Sequence, residues 1–158
     1  MYRTIEDFKA DWTNSAKGTT LVLKALTDDT LNVAIVEGHN TLGWLGWHLT
    51  TAPSFFGNVL GDFNFAPVES NEQPREAATI VEVYKQVSAD VLEKISALTD
   101  EDLVKPSKLP DGTLNGHVLR LLVDHQTHHR GQMTVLLRQA NLHVPSVMGP
   151  TKEDSEAK

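Results

Sequence analysis

The sequence predicts an all-α protein, a four-helix bundle with a long crossover connection between its second and third helices. Four long segments repeat apolar side chains every three or four positions, and no segment alternates apolar and polar residues convincingly at a period of two. The chain has 158 residues, 40% hydrophobic and 22% charged, which suits one domain that buries its own core. We expect that domain over residues 1–150 and a disordered polar tail over 151–158.

The first two helices are predicted over residues 5–26 and 41–60. An apolar stripe and a candidate N-cap, Thr4, mark the first. Pro53 lies inside the second and should kink or divide it, because proline has no amide hydrogen. The stripe expected to face the core of the second helix consists of Trp44, Leu45, His48, Ala52, Phe55 and Val59.

The third and fourth helices are predicted over residues 79–98 and 113–140. Thr79 and Glu82 have the spacing of a capping box at the start of the third. Residues 61–76 are polar and hold two prolines, which predicts the long crossover loop. The stripe expected to face the core of the fourth helix consists of Val118, Leu121, Leu122, His125, His129, Gln132, Met133 and Leu136.

A faint internal repeat relates the two halves of the chain. Ala-Leu-Thr-Asp-Asp-Thr-Leu at 25–31 recurs as Ala-Leu-Thr-Asp-Glu-Asp-Leu at 97–103, and Thr-Leu at 41–42 recurs at 113–114, both 72 residues later. In one interpretation the second and fourth helices are equivalent members of a pseudo-symmetric pair. In the other, Leu-Thr-Asp is a common way to leave a helix and the match is chance.

Composition narrows the range of functions. The formal net charge is −7 and no basic run occurs, which argues against binding to a phosphate backbone and predicts no nucleic-acid partner. The chain has no cysteine, so disulfides and thiol nucleophiles are excluded. No apolar run is long enough to span a membrane, and no apolar signal segment opens the chain. We therefore expect no membrane partner and a cytoplasmic location.

Histidines carry the strongest chemical signal. His125 and His129 are spaced i, i+4, which places their rings one turn apart on one helix face, close enough to share a metal ion. His48 lies centrally on the stripe of the second helix and could supply a third ligand. Three neutral imidazoles leave coordination positions open, as in a reactive site. The alternative is a hydrogen-bonded set of core histidines without metal.

Other enzyme classes do not match. Gln126 stands where a zinc peptidase has its general-base glutamate, and the serine-hydrolase elbow and the phosphate-binding loop are absent from the sequence. His128 lies about 60° from His125 around the helix, which favours a flanking position over a ligand. The remaining histidines are predicted on the surface or in loops: His39, His117 and His143.

Three segments resemble the DinB-like superfamily. They are Trp-His-Leu at 47–49, His-Gln-Thr-His-His-Arg-Gly-Gln-Met at 125–133 and Val-Pro-Ser-Val-Met-Gly at 144–149, and the resemblance extends over roughly residues 4–150. It implies a four-helix bundle that holds one divalent metal ion through three histidines. Carried over residue by residue, the ligands are His48, His125 and His129.

The resemblance also implies an activity class. Relatives include thiol S-transferases, isomerases that use low-molecular-weight thiols, and iron-dependent sulfur-transfer enzymes. We expect a metal-dependent thiol S-transferase or hydrolase acting on a small molecule, with zinc, nickel or iron as cofactor. The alternative is a non-catalytic structural or sensory metal site. The residues expected to line the pocket or support the ligands are Trp44, Thr51, Phe55, His128 and Gln132.

Two further expectations concern packing. Arg130 could pair with a carboxylate on a neighbouring helix. Trp47 and Phe56 lie about 100° and 80° to either side of the predicted stripe of the second helix. One bundle cannot easily bury both flanks, and exposed aromatic side chains often mark a partner surface, so we expect a homodimer.

Overall fold

The computed structural model describes residues 1–61, 63, 65 and 72–156, and within them the chain is helical. Two isolated β-bridges are present in these ranges and no strand is formed. The all-α class is therefore confirmed. The helices in chain order are α1 (Ile5–Lys24), α2 (Leu42–Gly61), α3 (Ala77–Ile95), α4 (Asp100–Leu103), α5 (Asn115–Gln139) and α6 (Lys152–Glu156).

The four long helices begin and end within three residues of their predicted bounds. The Thr4 hydroxyl accepts a hydrogen bond from the Asp7 amide and caps α1, as its position predicts. Most of the predicted crossover loop lies outside the described residues. In the segment predicted as a tail, α6 forms a short helix that Arg138 holds through an ion pair with Glu153 at 2.7 Å.

Packing among the long helices follows a simple pattern: α1 and α2 each contact both α3 and α5. Two apolar clusters fill the space between them, one around Phe8 and Trp12, the other around Leu23 and Leu49. On α1 the buried residues between Trp12 and Val22 are small or polar. A polar layer therefore separates the clusters. None of the helices described is long and apolar enough to cross a membrane.

The rotation of α2 differs from the prediction. Trp44 and Phe55, expected to face the core, are 40% and 61% exposed, whereas Trp47 and Phe56, expected on exposed flanks, are buried. Apolar residues occur nearly all around this helix, so their spacing does not define which side faces inward. The homodimer was predicted from exposure of Trp47 and Phe56, which are buried, so it stays a prediction without that support.

The face of α5 is also rotated by about one residue. Leu121 and Gln132, predicted to be buried, are exposed, and His125 and His129 are only half-buried. Their neighbours Gln126 and Arg130 are buried instead. Polar side chains therefore occupy the centre of the α5 packing face, and the histidines lie at its edge.

Pro53 neither divides α2 nor leaves an unpaired carbonyl. The helix is continuous through it, although proline cannot donate to the carbonyl of Leu49 four residues earlier. That carbonyl accepts a hydrogen bond from the Gln126 side-chain amide at 3.0 Å. A side chain of α5 thus replaces the backbone donor that Pro53 removes.

The two connectors of the predicted repeat share three features. Each opens with a capping box, at Thr27 and at Thr99, 72 residues apart. Each contains an isolated antiparallel bridge, Ala34–Thr41 in one and Pro106–Leu114 in the other. Each also places one glycine at positive φ. These matches favour the repeat interpretation over chance.

Candidate metal centre

Three histidines converge between α2 and α5. The Nε2 atom of His125 lies 3.1 Å from Nε2 of His48 and 3.2 Å from Nε2 of His129. The three candidate ligand nitrogens all lie within 4.8 Å of one another. His48 comes from the middle of α2, and the i, i+4 spacing on α5 brings the other two rings to one side of that helix.

These separations suit a shared cation. Zn–N bonds of 2.0–2.1 Å place two ligand nitrogens about 3.3 Å apart at a tetrahedral angle and about 2.9 Å apart at a right angle. The two Nε2–Nε2 distances from His125 fall between those values. One proton on His125 Nε2 cannot make a linear hydrogen bond to both neighbours, whereas one cation accepts lone pairs from all three. The donor set therefore fits a divalent metal.

Gln132 sets the tautomer of His129. The Nδ1 atom of His129 lies 2.7 Å from the Gln132 side-chain oxygen, which can only accept a hydrogen bond. Nδ1 therefore carries the proton, and Nε2 presents its lone pair to the other two rings. Metal-binding histidines commonly use their second nitrogen in this way. Nδ1 of His125, by contrast, is buried with no partner within the described part of the chain.

All three imidazoles are kept neutral by their surroundings. Burial, followed by the neighbouring histidines, lowers the pKa of His125 to about 4. Burial and then the charge of His129 lower the pKa of His48. Burial also lowers the pKa of His129, although its hydrogen bond to Gln132 opposes the change. Neutral rings at physiological pH are the form that binds metal.

Aromatic side chains wall the site. The Trp44 ring stacks on the His48 ring, with centroids 4.7 Å apart and planes 15° apart. The Phe56 ring meets the His125 ring edge-on at 5.7 Å. Phe56 was missed as a site residue because the predicted rotation of α2 placed it on a flank. Phe55, predicted there instead, contacts Phe56 and points largely to solvent.

The other predicted supporting residues take different roles. The Thr51 hydroxyl donates to the backbone carbonyl of Trp47 at 3.1 Å, so its hydrogen bond lies within α2 and does not reach the histidines. His128 is exposed, with its ring 4.8 Å from the His129 ring, which agrees with a flanking position. The three histidines predicted on the surface or in loops are exposed: His39, His117 and His143.

Gln126 ties the site to the core. It is 0% exposed; its oxygen accepts hydrogen bonds from Thr19 and Tyr84, and its amide donates to Leu49. His48 and His125 immediately precede Leu49 and Gln126, so this bond lies one residue from the ligand pair. The side chain in the place of a peptidase glutamate thus points into the core.

Among the described residues Arg130 pairs with no carboxylate, so the pairing that the sequence left open is not formed there. The side chain is buried, and its guanidinium donates to the backbone oxygen of Ser15 at 2.6 Å and to the hydroxyls of Ser15, Thr19 and Thr127. Burial lowers its pKa. Neutral acceptors on α1 satisfy this cation, because α1 offers small polar residues and no acid at that level.

Comparisons with known proteins find similar sequences over nearly the whole chain. A sequence model of the DinB family matches residues 1–158. An uncharacterized protein of Bacillus subtilis (strain 168), YrdA, is 36% identical over 157 residues, which cover 98% of this chain and 93% of that protein.

Two solved structures of DinB-like proteins have a similar fold. The crystal structure of a DinB-like protein from Bacillus cereus ATCC 10987 superposes with a TM-score of 0.86 at 40% identity, covering 93% of this chain and 99% of the other. A DinB-like protein from Bacillus subtilis, YjoA, superposes with a TM-score of 0.72 at 18% identity, covering 91% and 99%. The second likeness shows the fold alone.

Proposed function

The chain belongs to the DinB family, and from that premise we propose that it is a metal-dependent thiol S-transferase that acts on a small molecule. His48, His125 and His129 would hold one divalent ion: zinc, nickel or iron. The observation that carries the proposal is the convergence of their three Nε2 atoms in a half-buried, open position. A structural zinc site would have four protein ligands, whereas three leave room for a reactant.

The bound metal would supply charge that lowers the pKa of a coordinated thiol and so generates a nucleophile near neutral pH. The protein side chains have separate tasks. Gln132 holds the His129 ring with its Nε2 atom toward the site, and Trp44 stacks on His48 and limits its rotation. Phe56 shields His125 from water on one side.

The site favours thiol transfer over hydrolysis. The pKa shifts of the three histidines arise from burial, from other imidazoles and from Gln132, and no carboxylate is among their causes. None of the groups that perturb the three histidines is therefore a carboxylate that could act as a base toward water. A thiol, with an ordinary pKa near 8.5, needs far less activation than water.

The wider assignments belong to the same proposal. A cytoplasmic location would supply low-molecular-weight thiols, which suits a chain that carries no cysteine of its own. We also propose that the four long helices form a four-helix bundle, supported by the contacts of α1 and α2 with α3 and α5. A homodimer is the expected assembly, tested by light scattering at micromolar concentration.

Metal analysis of protein purified without a histidine tag tests the first half of the proposal. We expect one metal per chain, and about one tenth of it or less in His48→Ala, His125→Ala or His129→Ala, because removal of even an outer-shell partner costs about 10- to 100-fold in metal affinity. Transfer of small thiols to monochlorobimane tests the second half. We expect it to require the metal and all three histidines.

The two measurements also identify the alternative. Stoichiometric metal without thiol transfer to any acceptor would favour a structural or sensory role for the site. Hydrolysis of esters or amides by the loaded protein, without dependence on added thiol, would favour the hydrolase. An absence of bound metal under all loading conditions would remove the proposal.

A further inference from the structure

We propose that a cleft beside the histidines, between the loop 35–40 and the last turns of α5, binds the aliphatic arm of the thiol that the site activates. This inference rests on the proposed function and extends it to the class of substrate. The cleft has a volume of about 350 Å³, and its lining includes Ile35, Gly38 and Asn40 of the loop and Gln132, Val135 and Leu136 of α5. That volume lies at the small end of the usual range for ligand sites.

One side chain, Gln132, borders both the cleft and the candidate metal centre. The side-chain oxygen of Gln132 accepts the hydrogen bond of His129, and the same side chain lines the cleft. With a rise of 1.5 Å per helical residue, Gln132 lies about 4.5 Å from His129 along α5, and Leu136 about 10 Å. A ligand atom at the histidines could therefore place a short chain of carbons in the cleft.

The lining matches an apolar arm with a hydrated end. Leu45 and Leu136 are buried and form apolar floor, while Val135 and Ile35 expose 49% and 54% of their surface on the walls. A ligand that covers exposed apolar side chains in a concave surface removes their area from water, which favours binding. The polar residues of the lining, His39, Asn40 and Gln132, are exposed and can remain in contact with water.

The loop that forms one wall has a defined shape. Ala34 and Thr41 form an isolated antiparallel bridge, and the Leu42 amide donates to the Val33 carbonyl at 2.8 Å, which closes the base of the loop. Gly38 at φ +81° makes the turn at its tip, a conformation that side chains other than glycine rarely adopt. The wall is therefore part of the fold and need not form around the ligand.

Binding of simple alkanethiols to the cobalt-loaded protein tests the proposal without turnover. The probes are ethanethiol, butanethiol and hexanethiol, and the readout is the thiolate-to-cobalt charge-transfer band as a function of thiol concentration. The thiol groups of these probes are alike, so only the arm changes. We expect the dissociation constant to fall by up to about fourfold for each added methylene group, the value for burying one such group.

A matched pair of variants locates the arm. Val135→Trp fills the cleft, and we expect it to weaken hexanethiol binding by about tenfold or more while leaving ethanethiol binding within about twofold. Leu121→Trp is the control, because Leu121 has the same exposed fraction, 49%, on the same helix but on the other side of the histidine pair. It should leave the dependence on chain length intact. Ile35→Trp fills the cleft from the loop and should repeat the effect of Val135→Trp.

Each contrary result has a distinct meaning. If affinity does not depend on chain length in the unmodified protein, or if Leu121→Trp abolishes the dependence and both cleft variants keep it, the cleft is not the subsite. In those cases ethanethiol still binds to cobalt and the proposed function stands. If no thiol gives a charge-transfer band with either cobalt or nickel in the protein, the proposed function fails and the subsite with it.

Discussion

At the scale of single residues, the candidate site depends on which nitrogen each imidazole presents. Gln132 fixes His129 with Nε2 toward His48 and His125, because its oxygen at 2.7 Å accepts the Nδ1 proton. His128 is the next residue along α5 and also contacts the His129 ring, but it is exposed. One step along a helix rotates a side chain by about 100°, which is enough to remove it from the site.

Substitution of the adjacent residues His128 and His129 should show which of them binds the metal. Metal that binds only the folded chain adds about 2.7 kcal/mol to the free energy of unfolding at a hundredfold excess over Kd. We expect His129→Ala, like His48→Ala and His125→Ala, to abolish this gain, and His128→Ala to retain it. Melting curves with and without zinc or nickel give the comparison.

Two outcomes would contradict that assignment. Loss of the metal-induced shift in His128→Ala with retention in His129→Ala would mean that the ligand is misassigned by one residue. An unchanged shift in all four variants would mean that the three-histidine site does not exist.

The lowered pKa of His125 predicts an acid-sensitive metal-free protein. Unfolding returns this pKa from about 4 to the ordinary 6.5, so at pH 5 the unfolded chain binds nearly one more proton at this site than the folded chain. Protonation of His125 therefore leaves the free energy of unfolding unaffected above pH 6.5 and lowers it as the pH falls from 6.5 toward 4. Urea unfolding across this range should show the loss, and His125→Gln should reduce its slope. An equal slope in both proteins would refute the assignment.

At the scale of elements, α5 contributes two of the three histidines, Gln126, Arg130 and one wall of the cleft. Its two glycines have opposite surroundings. A methyl group on Gly116 would collide with the Tyr2 backbone oxygen and lie 3.2 Å from that of Leu103, whereas one on Gly131 would meet no atom within 4 Å. Close packing of the chain against α5 thus requires glycine at one end only.

The two glycines form a matched pair for measurement. Gly116→Ala should destabilise the protein by about 1–3 kcal/mol, because its clash is with backbone atoms that cannot rotate away. Gly131→Ala should stabilise it by about 0.5–1 kcal/mol, because alanine is the better helix former at an open position. Denaturant unfolding of both variants checks the signs. A stabilising Gly116→Ala would show that the N-terminal segment is not packed as described.

At the scale of the whole molecule, one side chain connects all four long helices. Gln126 of α5 bonds Thr19 of α1, Tyr84 of α3 and the Leu49 carbonyl of α2. Arg130 adds four bonds from α5, three of them to α1. This polar layer lies between the two apolar clusters and holds α2 and α5 in register beside the histidines.

Removal of that connection should destabilise the whole domain. Gln126→Leu leaves the Tyr84 hydroxyl and the Leu49 carbonyl buried without their partner, and Pro53 offers no backbone donor in exchange. We expect a loss of about 3 kcal/mol, since each orphaned group costs about 1–3 kcal/mol. Gln139→Leu, at the exposed end of α5, is the control and should change stability by less than about 0.5 kcal/mol. Equal effects of the two variants in urea unfolding would refute the role of Gln126.

The sequence by itself determined the helices and the candidate ligands. Helix ends depend on caps, breakers and local spacing, which are properties of short segments, so the four long helices were predicted within three residues. The i, i+4 histidine pair is equally local, and its geometry follows from the helix repeat. Membership of the DinB family was likewise predicted from short motifs and is confirmed.

Only the tertiary structure decided which sides of the helices face inward. Because α2 is apolar nearly all around, its contacts with α3 and α5 decide that Trp47 and Phe56 are buried, that Trp44 lies beside the site and that Phe55 points largely to solvent. Apart from Thr127, the partners of Arg130 and Gln126 come from residues more than forty positions away, so no local spacing predicts them. The physical reason is that periodicity describes one helix at a time, while burial of polar groups and the shape of a site depend on what the neighbouring helices bring.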